Sequence, residues 1–422
     1  MAEHFSAADL DLARYIKPGD AIVCGQACGE PTTILEILYA QRAKLGGVSL
    51  FTGSSFSGLV KPDYADHIRF RSMGAIGALR TLTKTGALEI IPSHVGQLGR
   101  MIADGDIACD VAIIQVSPAN ADGLHSPGLI GDYVHKAVKK ARVVIAEVNA
   151  QVPNVPASTM LSPADFHVIV ECDRTPVTVP PAKTGEVDQA IARHAAHFIQ
   201  DGSILQIGIG AVPDAILQLV KDRRDLGVHS GMIGDGLVDL VEAGVITNAT
   251  HGKWKGLSVT GALIGSERLY RFAHNNDSIL LADSALTHDE AILASLPKLV
   301  SINSAIEVDL TGQVNAETAG ENYLGGTGGQ VDYVRGGSRS PGGHSIIALP
   351  STAKTDSRVV ARLSGPVTTG RSEVDVIITE YGAAQLKGRS LRERAKAMID
   401  IAHPDQREKL SAEAHDLFKR GF

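Results

Sequence analysis

A glycine-rich stretch in the last third of the chain has the composition of a ligand-binding loop. Across residues 325–337, six of thirteen residues are glycine, and they flank one short apolar segment. Glycine lets the backbone approach a ligand closely and reach positive φ, so its N–H groups can face a phosphate or a developing oxyanion. Basic residues lie within or after it, at Arg335, Arg339, Lys354, Arg358 and Arg371. The stretch predicts a loop that binds a phosphate or a carbonyl oxygen, with a flexible surface loop as the alternative.

A second glycine turn, at residues 207–213, follows an apolar strand and precedes a helix. Backbone N–H groups at the start of a helix favour an anion. The turn lacks the third glycine and the downstream acid of a dinucleotide-binding fingerprint, so a nicotinamide site is a poor match. An anion-binding turn and a purely structural turn both remain open for this segment.

Three other patterns fail because their spacing is wrong. No serine within residues 53–58 has glycine two positions before and two after it, as a nucleophile elbow requires. His194 and His197 have no acid at ligand spacing, and Cys24 and Cys28 have no second pair, so we predict no metal site. We expect the cysteines to be reduced, buried and apolar in role.

The elements that would position these residues read as alternating strands and helices. Short runs rich in β-branched residues, such as 110–116 and 142–148, are typical of buried parallel strands. Helical stretches lie between them, and two more helices are predicted at residues 390–401 and 404–418. This alternation, in a chain with 44% hydrophobic and 4% aromatic residues, predicts open α/β layers.

An internal repeat divides the chain. Residues 22–35 align with residues 204–217 at a constant offset (204 − 22 = 182), and each copy reads as strand, glycine-containing turn and helix opened by proline. The proline-rich residues 175–185 lie just before the second copy and are the predicted linker. We therefore predict two similar lobes, residues 1–185 and residues 186–422.

Charge and hydropathy exclude several classes of partner. With a net charge of −7, the chain lacks the excess of Lys and Arg that binds nucleic acid. Residues 1–9 have neither the basic start nor the apolar stretch of a signal peptide, and no apolar run approaches the ~20 residues that span a bilayer. We expect a cytoplasmic protein with no nucleic-acid or membrane partner.

Taken in order, several segments resemble the acetyl-CoA hydrolase/CoA-transferase family, which includes 4-hydroxybutyrate and butyrate–acetate CoA-transferases. The resemblance covers nearly the whole chain and implies two similar open α/β lobes of the NagB/RpiA/CoA-transferase type, in agreement with the repeat. It depends on residues 92–94, 117–118, 144–149, 208–213, 301–314, 325–337, 348–354 and 379–382.

The resemblance also implies the ligands. Acyl-CoA and a small carboxylic acid would be the substrates of a homo-oligomer, dimer or tetramer, with coenzyme A as co-substrate, no permanently bound cofactor and no metal. Independently, a thioester carbonyl needs N–H donors and nucleotide phosphates need cations, and the glycine-rich and basic segments offer both. By similarity, the CoA-contact positions are Gly208, Ile209, Gly210, Ala211, Val212, Ile306, Gly328, Gly329 and Lys354.

The chain departs from the family at its catalytic position. Family members use a glutamate, within a His-Ser/Thr-Glu-Met stretch, that attacks the thioester and carries CoA to a second acid. Here the stretch reads His229-Ser230-Gly231-Met232, and glycine has no side chain to act as nucleophile. His229, Asp235 and Glu321 are weak replacement candidates, as are Glu307 and Glu317. The alternatives are a helix N-cap for Asp235 and a hydrogen-bonded structural role for His229.

Several functions remain open at this stage. We predict an enzyme, either an acyl-CoA:carboxylate CoA-transferase with a relocated nucleophile or a hydrolase that uses water where the carboxylate is missing. The alternatives are an acyl-CoA-binding protein without turnover and a sugar-phosphate-binding protein of related fold. Because the residues flanking Gly231 match the family, a localised change of chemistry fits better than decay of the whole site.

Overall fold

In a computed structural model that describes residues 2–419, short strands alternate with helices along most of the chain. The strands are β1 (Glu3–Phe5), β2 (Ala21–Cys24), β3 (Val48–Phe51), β4 (Ile68–Ser72), β5 (Leu88–Ile90), β6 (Val111–Val116), β7 (Val143–Asn149), β8 (Val168–Cys172), β9 (Ile204–Ile207), β10 (Gly227–Ser230), β11 (Ser258–Thr260), β12 (Ile279–Leu281), β13 (Leu299–Ser304), β14 (Glu307–Asp309), β15 (Val314–Asn315), β16 (Thr318–Ala319), β17 (Asn322–Tyr323), β18 (His344–Ala348), β19 (Thr352–Ala353), β20 (Asp356–Ser357), β21 (Val359–Val360), β22 (Val376–Thr379) and β23 (Gly382–Gln385).

The α-helices are α1 (Thr32–Gln41), α2 (Arg80–Thr83), α3 (Val95–Asp104), α4 (Val134–Lys140), α5 (Glu186–Ala196), α6 (Ala211–Leu219), α7 (Asp235–Glu242), α8 (Glu267–Ala273), α9 (Ser284–Thr287), α10 (Glu290–Ser295), α11 (Gln330–Arg339), α12 (Leu391–Asp400) and α13 (Pro404–Lys419). Short 3₁₀ helices cover Leu12–Arg14, Arg42–Lys44, Pro62–Asp66, Pro163–Asp165 and Gly252–Trp254.

The described residues form two compact units. The first unit runs through Pro180 and also includes Gly231–Asp235 and Ser258–Thr287. The second includes Pro181–Ser230, Gly236–Leu257 and the described residues from His288 onward. The division into lobes 1–185 and 186–422 stays a prediction. The first compact unit also contains two segments from later in the sequence.

In the first unit, a parallel sheet has the strand order β1-β8-β7-β6-β2-β3-β4-β5. Every residue of β6 is buried, as expected for a continuous apolar run covered on both faces. The chain proceeds from β2 towards β3 on one side and from β6 towards β7 on the other. In such sheets, ligands bind beyond the carboxyl ends of the strands at this switch in direction.

The second unit repeats this plan. Its strands follow the order β10-β9-β13-β18-β22-β23 and are parallel, except for the antiparallel pair β22–β23. The switch in direction falls between β9 and β13. Ile347 of β18, Val334 of α11 and Met398 of α12 share one apolar core. The predicted α/β architecture with two parallel sheets is therefore confirmed.

Both copies of the internal repeat fold as strand, turn and helix, as β2–α1 and β9–α6. Pro31 directly precedes α1, and Pro213 lies in the first turn of α6, where a missing N–H costs no hydrogen bond. The two helices predicted at the end of the chain are also confirmed. Ser390 begins α12 by accepting a hydrogen bond from the Glu393 N–H, in a capping box.

Candidate functional site

The turn between β9 and α6 exposes its backbone to open space. Gly210 has φ +122° and ψ −179°, a conformation that L-residues with a side chain rarely adopt. A Cβ added at Gly208 or Gly210 would meet no heavy atom within 4 Å. The N-terminus of α6, a helix of nine residues, carries partial positive charge. The turn can therefore accept an anionic group close to the main chain.

Two more segments reach the same switch point of the second unit. Asn303 of β13 donates a hydrogen bond to Gln206 of β9 at 3.0 Å. Gln330, the first residue of α11, donates from Nε2 to the Ser304 carbonyl at the end of β13, at 2.7 Å. Its Oε1 accepts from Thr369 Oγ1 at 3.0 Å. These amides tie the glycine-rich stretch to the strand ends, and sequence reasoning missed them.

The structure places most of the predicted CoA-contact residues near these strand ends. Gly208, Ile209, Gly210, Ala211 and Val212 follow β9 directly. Ile306 lies two residues beyond β13, and Gly328 and Gly329 directly precede α11. Lys354 is exposed in the turn between β19 and β20, after β18, and has φ +55°. The assignment of these residues to CoA remains a prediction.

The glycine-rich stretch is a loop only in its first part, because α11 begins at Gln330. Gly328 has φ +56° and faces open space. Gly329 packs closely instead, since a Cβ there would lie 2.5 Å from Nε2 of His288. Gly336 and Gly337 are buried in α11, where a Cβ would lie 2.4 Å from Leu293 and 2.8 Å from the His344 carbonyl oxygen, respectively. The prediction of a continuous ligand loop is wrong for residues 330–337.

The basic cluster predicted from the sequence is divided. Arg335 is paired with Glu373 at 2.8 Å, and Arg339 is paired with Glu290. Arg358 is half-buried, and burial lowers its pKa. Lys354 and Arg371 are exposed, and their assignment to a phosphate remains a prediction.

Gly231 lies in the first unit, on a segment held by its backbone. The Ile233 N–H donates to the Ala262 carbonyl at 2.9 Å. A Cβ added at Gly261 would lie 2.9 Å from the Gly231 carbonyl oxygen, so the two chains approach closely there. Gly231 itself is half-buried. The segment around Gly231 is thus held by main-chain contacts, and its match to the family's catalytic position remains a prediction.

Asp235 lies inside the first turn of a helix rather than at its N-cap, and its side chain binds a serine. It is the first residue of α7, and its carboxylate accepts hydrogen bonds from the N–H and the hydroxyl of Ser266, at 2.8 and 2.5 Å. Ser266 in turn caps α8. Asp235 therefore joins the starts of two helices.

His229 is fully buried on β10, with 0% of its surface exposed. Its Nδ1 lies 3.0 Å from Nε2 of His251, and its ring packs at 67° to that of Trp254, with 5.1 Å between centroids. The alternative considered from the sequence, a hydrogen-bonded histidine, describes this environment.

The remaining candidate acids of the second unit differ in exposure. Glu307 accepts hydrogen bonds from the Ser364 N–H and hydroxyl at 2.7 and 2.9 Å. Glu317 accepts one from the Tyr323 hydroxyl at 2.5 Å. Both glutamates are buried. Glu321 is exposed in the turn between β16 and β17.

Asp132 is a buried carboxyl group of the first unit that sequence reasoning did not find. It accepts hydrogen bonds from Gln26 Nε2 and the Tyr133 N–H. Burial raises its pKa to about 6, against the lowering effect of these hydrogen bonds. The adjacent Gly131 N–H donates to the Gly261 carbonyl at 2.9 Å, so Asp132 lies one residue from the backbone that packs against Gly231.

The two repeated helices differ in what occupies their N-termini. In the first unit, Glu147 of β7 accepts a hydrogen bond from the Ile34 N–H of α1 at 3.0 Å. β18 has the same position in the second sheet as β7 in the first, since β18 lies two strands from β9 and β7 lies two strands from β2. The sequence of β18, His-Ser-Ile-Ile-Ala, has no acid. The start of α1 thus holds a carboxylate from its own sheet, whereas the start of α6 receives none from β18.

Within residues 2–419, no group of three His, Cys, Asp or Glu side chains is placed to hold a metal ion. The described helices include none that is both long and apolar enough to cross a membrane. All four cysteines are free thiols, with Cys24, Cys28 and Cys109 buried and Cys172 partly exposed.

Two parallel sheets, with an open glycine turn after β9 in the second of them, define an α/β protein with space for an anionic group at the strand ends of its second unit. The chain belongs to the acetyl-CoA hydrolase/transferase family, whose N-terminal domain model matches residues 5–181 and whose C-terminal domain model matches residues 265–414. The predicted family, and with it an enzyme that uses coenzyme A as co-substrate, is confirmed.

Individual relatives match nearly the whole chain. The 4-hydroxybutyrate coenzyme A transferase of Clostridium kluyveri is 37% identical, covering 95% of this chain and 94% of its own. RipA from Yersinia pestis is 31% identical with a TM-score of 0.93, covering 99% of this chain and 98% of its own. The 4-hydroxybutyrate CoA-transferase of Porphyromonas gingivalis is 33% identical with a TM-score of 0.83, covering 100% and 98%.

Proposed function

We propose that this protein hydrolyses short-chain acyl-CoA thioesters with water, and that Gly231 is the reason it does so. Its relatives include enzymes named for transfer of CoA to small carboxylic acids. Transfer through a glutamyl anhydride needs a carboxylate nucleophile, and Gly231 offers none. Water attack on the same thioester gives a carboxylic acid and free CoA.

The second unit supports CoA as the ligand. The glycines at 208, 210 and 328 leave open space beside backbone N–H groups, as a phosphate or thioester oxygen requires. Lys354 adds an exposed positive charge after β18. Because β18 has no acid, the start of α6 receives no carboxylate from its sheet as α1 does from Glu147, and Asp214 in its own first turn accepts a hydrogen bond from the Ala182 N–H at 3.2 Å.

The contacts of the other candidate acids favour water over a relocated nucleophile. Asp235, Glu307 and Glu317 each accept hydrogen bonds within their own unit. A carboxylate that attacked a thioester would have to give up such charge-assisted bonds, each worth about 1.5–3 kcal/mol. Glu321 is exposed on a hairpin turn, where water competes for it.

The test is a panel of acetyl-, propionyl-, butyryl- and succinyl-CoA, incubated with the purified protein with and without acetate. Free thiol is followed with an aromatic disulfide reagent, against the background of the partly exposed Cys172, and acyl exchange by mass spectrometry. We expect thiol release that does not depend on acetate. Exchange without thiol release would instead indicate transfer, and CoA binding without either product would indicate a binding protein.

Two matched variants test the role of Gly231. Gly231→Glu restores the family carboxylate and is expected to add CoA transfer to acetate. Gly231→Gln has nearly the same size without the charge, and is expected to lower hydrolysis by filling the space without adding transfer. Equal transfer by both variants would contradict a nucleophilic role for this position.

Light scattering on the same samples tests the proposed homo-oligomer, dimer or tetramer.

A further inference from the structure

Two consecutive buried threonines of the second unit, Thr368 and Thr369, lie beside the glycine-rich stretch. They are 8% and 0% exposed, respectively. Their main chain pairs with β15, since the Thr368 N–H donates to the Val314 carbonyl at 2.8 Å and the Val314 N–H donates to the Thr369 carbonyl at 3.1 Å. The backbone of both threonines is thus fixed, while their hydroxyls donate to different partners.

The hydroxyl of Thr368 holds the segment that precedes the glycine-rich loop. It donates to Glu317 Oε1 at 2.8 Å and accepts from the Ala316 N–H at 2.9 Å. The Glu317 carbonyl in turn accepts from the N–H groups of Leu324 and Gly325, at 2.8 and 3.0 Å. Gly325 packs so closely that an added Cβ would lie 2.2 Å from the Ala316 carbonyl oxygen. The start of the loop is therefore fixed through Thr368.

The hydroxyl of Thr369 holds the end of the same loop. Gln330 begins α11 and is 7% exposed. Its Nε2 donates to the Ser304 carbonyl at 2.7 Å, and a carbonyl oxygen only accepts, so Oε1 is the atom that faces Thr369. Oε1 accepts from the Thr369 hydroxyl at 3.0 Å. Loss of this donor would leave a buried amide oxygen unsatisfied, so the bond keeps the first turn of α11 in place.

Between the two fixed ends, Gly328 is the open position. It has φ +56°, and an added Cβ would meet no heavy atom within 4 Å. Gly329 beside it packs against His288, and the Gly329 carbonyl accepts from the Tyr333 N–H of α11 at 3.2 Å. The backbone conformation of Gly328 therefore depends on the start of α11, two residues further on.

We propose that Thr369 is a positioning residue for CoA: its hydroxyl holds Gln330, and the start of α11 then holds the Gly328 backbone in the open conformation that receives CoA. This inference rests on the proposed function, which assigns the open glycines to CoA. Thr368 secures the other end of the loop. A loop that is ordered before the ligand arrives binds more tightly, because no free energy is spent on ordering it during binding.

Calorimetry with free CoA tests the role of Thr369. Thr369→Val keeps the shape of the side chain without its hydroxyl, whereas Thr369→Ser keeps the hydroxyl. We expect Thr369→Val to raise the Kd for CoA about tenfold and Thr369→Ser to change it little. Gln330→Met removes the same hydrogen bond from the helix side and should raise the Kd as much. A wild-type Kd in folded Thr369→Val or Gln330→Met protein would overturn the inference.

Ser340→Ala, at the opposite end of α11, is the matched control for lost stability. Ser340 is buried, accepts from the Leu299 N–H at 2.9 Å and donates to the Leu296 carbonyl at 2.6 Å. Its substitution therefore also removes buried hydrogen bonds, and we expect a lower urea midpoint with an unchanged Kd for CoA. An equal rise in Kd for Ser340→Ala and Thr369→Val would show that Thr369 only stabilises the fold, which contradicts the positioning role.

Hydrogen exchange without ligand measures whether the end of the loop moves. The Tyr333 N–H is protected in the wild type by its bond to the Gly329 carbonyl. We expect the peptic fragment that covers the start of α11 to exchange at least about tenfold faster in Thr369→Val, while fragments from β13 stay unchanged. Wild-type exchange at the start of α11 in this variant would also overturn the inference.

The two proposals fail in different ways. If the wild-type protein binds CoA but releases no thiol from any acyl-CoA, the proposed hydrolysis fails, and the Kd values of the variants still decide the role of Thr369. If thiol is released but Thr369→Val binds CoA as the wild type does, only the inference about Thr369 fails. If the wild type binds no CoA, both fail.

Discussion

Asp132 offers a quantitative test of how the first unit holds a buried acid. Its side chain is 5% exposed, and burial raises its pKa to about 6 although Gln26 and the Tyr133 N–H donate to it. In an unfolded chain an aspartate titrates near 3.9. The folded protein therefore keeps the Asp132 proton about two pH units longer than the unfolded chain does.

The direction of the effect on stability follows from this difference. Because the folded state binds the proton more tightly, the stabilisation is fully present below about pH 4 and is lost as the pH rises through 6. Two pKa units correspond to about 3 kcal/mol. Asp132→Asn cannot titrate, so the free energy of unfolding of wild type minus that of the variant should fall by about 2.4 kcal/mol between pH 4 and pH 7, most of the full difference.

Urea unfolding followed by far-UV circular dichroism, at half-unit steps of pH, measures this difference. Asp165→Asn is the matched control, because its pKa is shifted the other way. Burial opposes ionisation of Asp165, but Lys139 at 2.7 Å and the Ser162 N–H outweigh burial and hold its pKa below the usual range. Its stabilisation is lost as the pH falls. A flat difference for Asp132→Asn between pH 4 and pH 7 would refute the reasoning.

Three further predictions concern glycines, a cation and a helix cap. Gly329→Ala would place Cβ 2.5 Å from His288 and should weaken CoA binding about tenfold by calorimetry. Gly336→Ala, 2.4 Å from Leu293, should cost about 1–3 kcal/mol of stability and leave the Kd for CoA unchanged. Lys354→Ala should raise that Kd by severalfold and flatten its salt dependence, while Lys409→Ala, on the exposed face of α13, should do neither. Glu147→Gln keeps an oxygen that can accept from the Ile34 N–H but removes a carboxyl group whose pKa is raised by burial. The unfolding free energy of wild type minus that of the variant should therefore fall as the pH rises, and a difference that does not change with pH would contradict this reasoning.

The sequence predicted those parts of the site that depend on local chain geometry. The turn at Gly208 and Gly210 follows its strand and opens its helix as expected, because glycine, strand and helix are neighbours in the chain. Gly336 was wrongly assigned to a ligand loop, although it lies in α11 and packs against Leu293. A glycine that lets two helices approach and a glycine that lets a ligand approach have the same local sequence signal.

The buried polar contacts could not be predicted from the sequence. Gln26 and Asp132 are 106 residues apart, and His229 and His251 are 22 apart. Their hydrogen bonds arise only when the sheets bring distant strands and loops together. No spacing in the sequence indicates such pairs, because the fold and not the local chain determines the distance between the two side chains.

Trp254 gives the packing around His229 and His251 an optical readout. It is the only tryptophan in the chain, and its ring lies against both His229 and His251. Any rearrangement of these two rings would therefore alter the emission of the whole protein, and stopped-flow fluorescence could follow it without any added label.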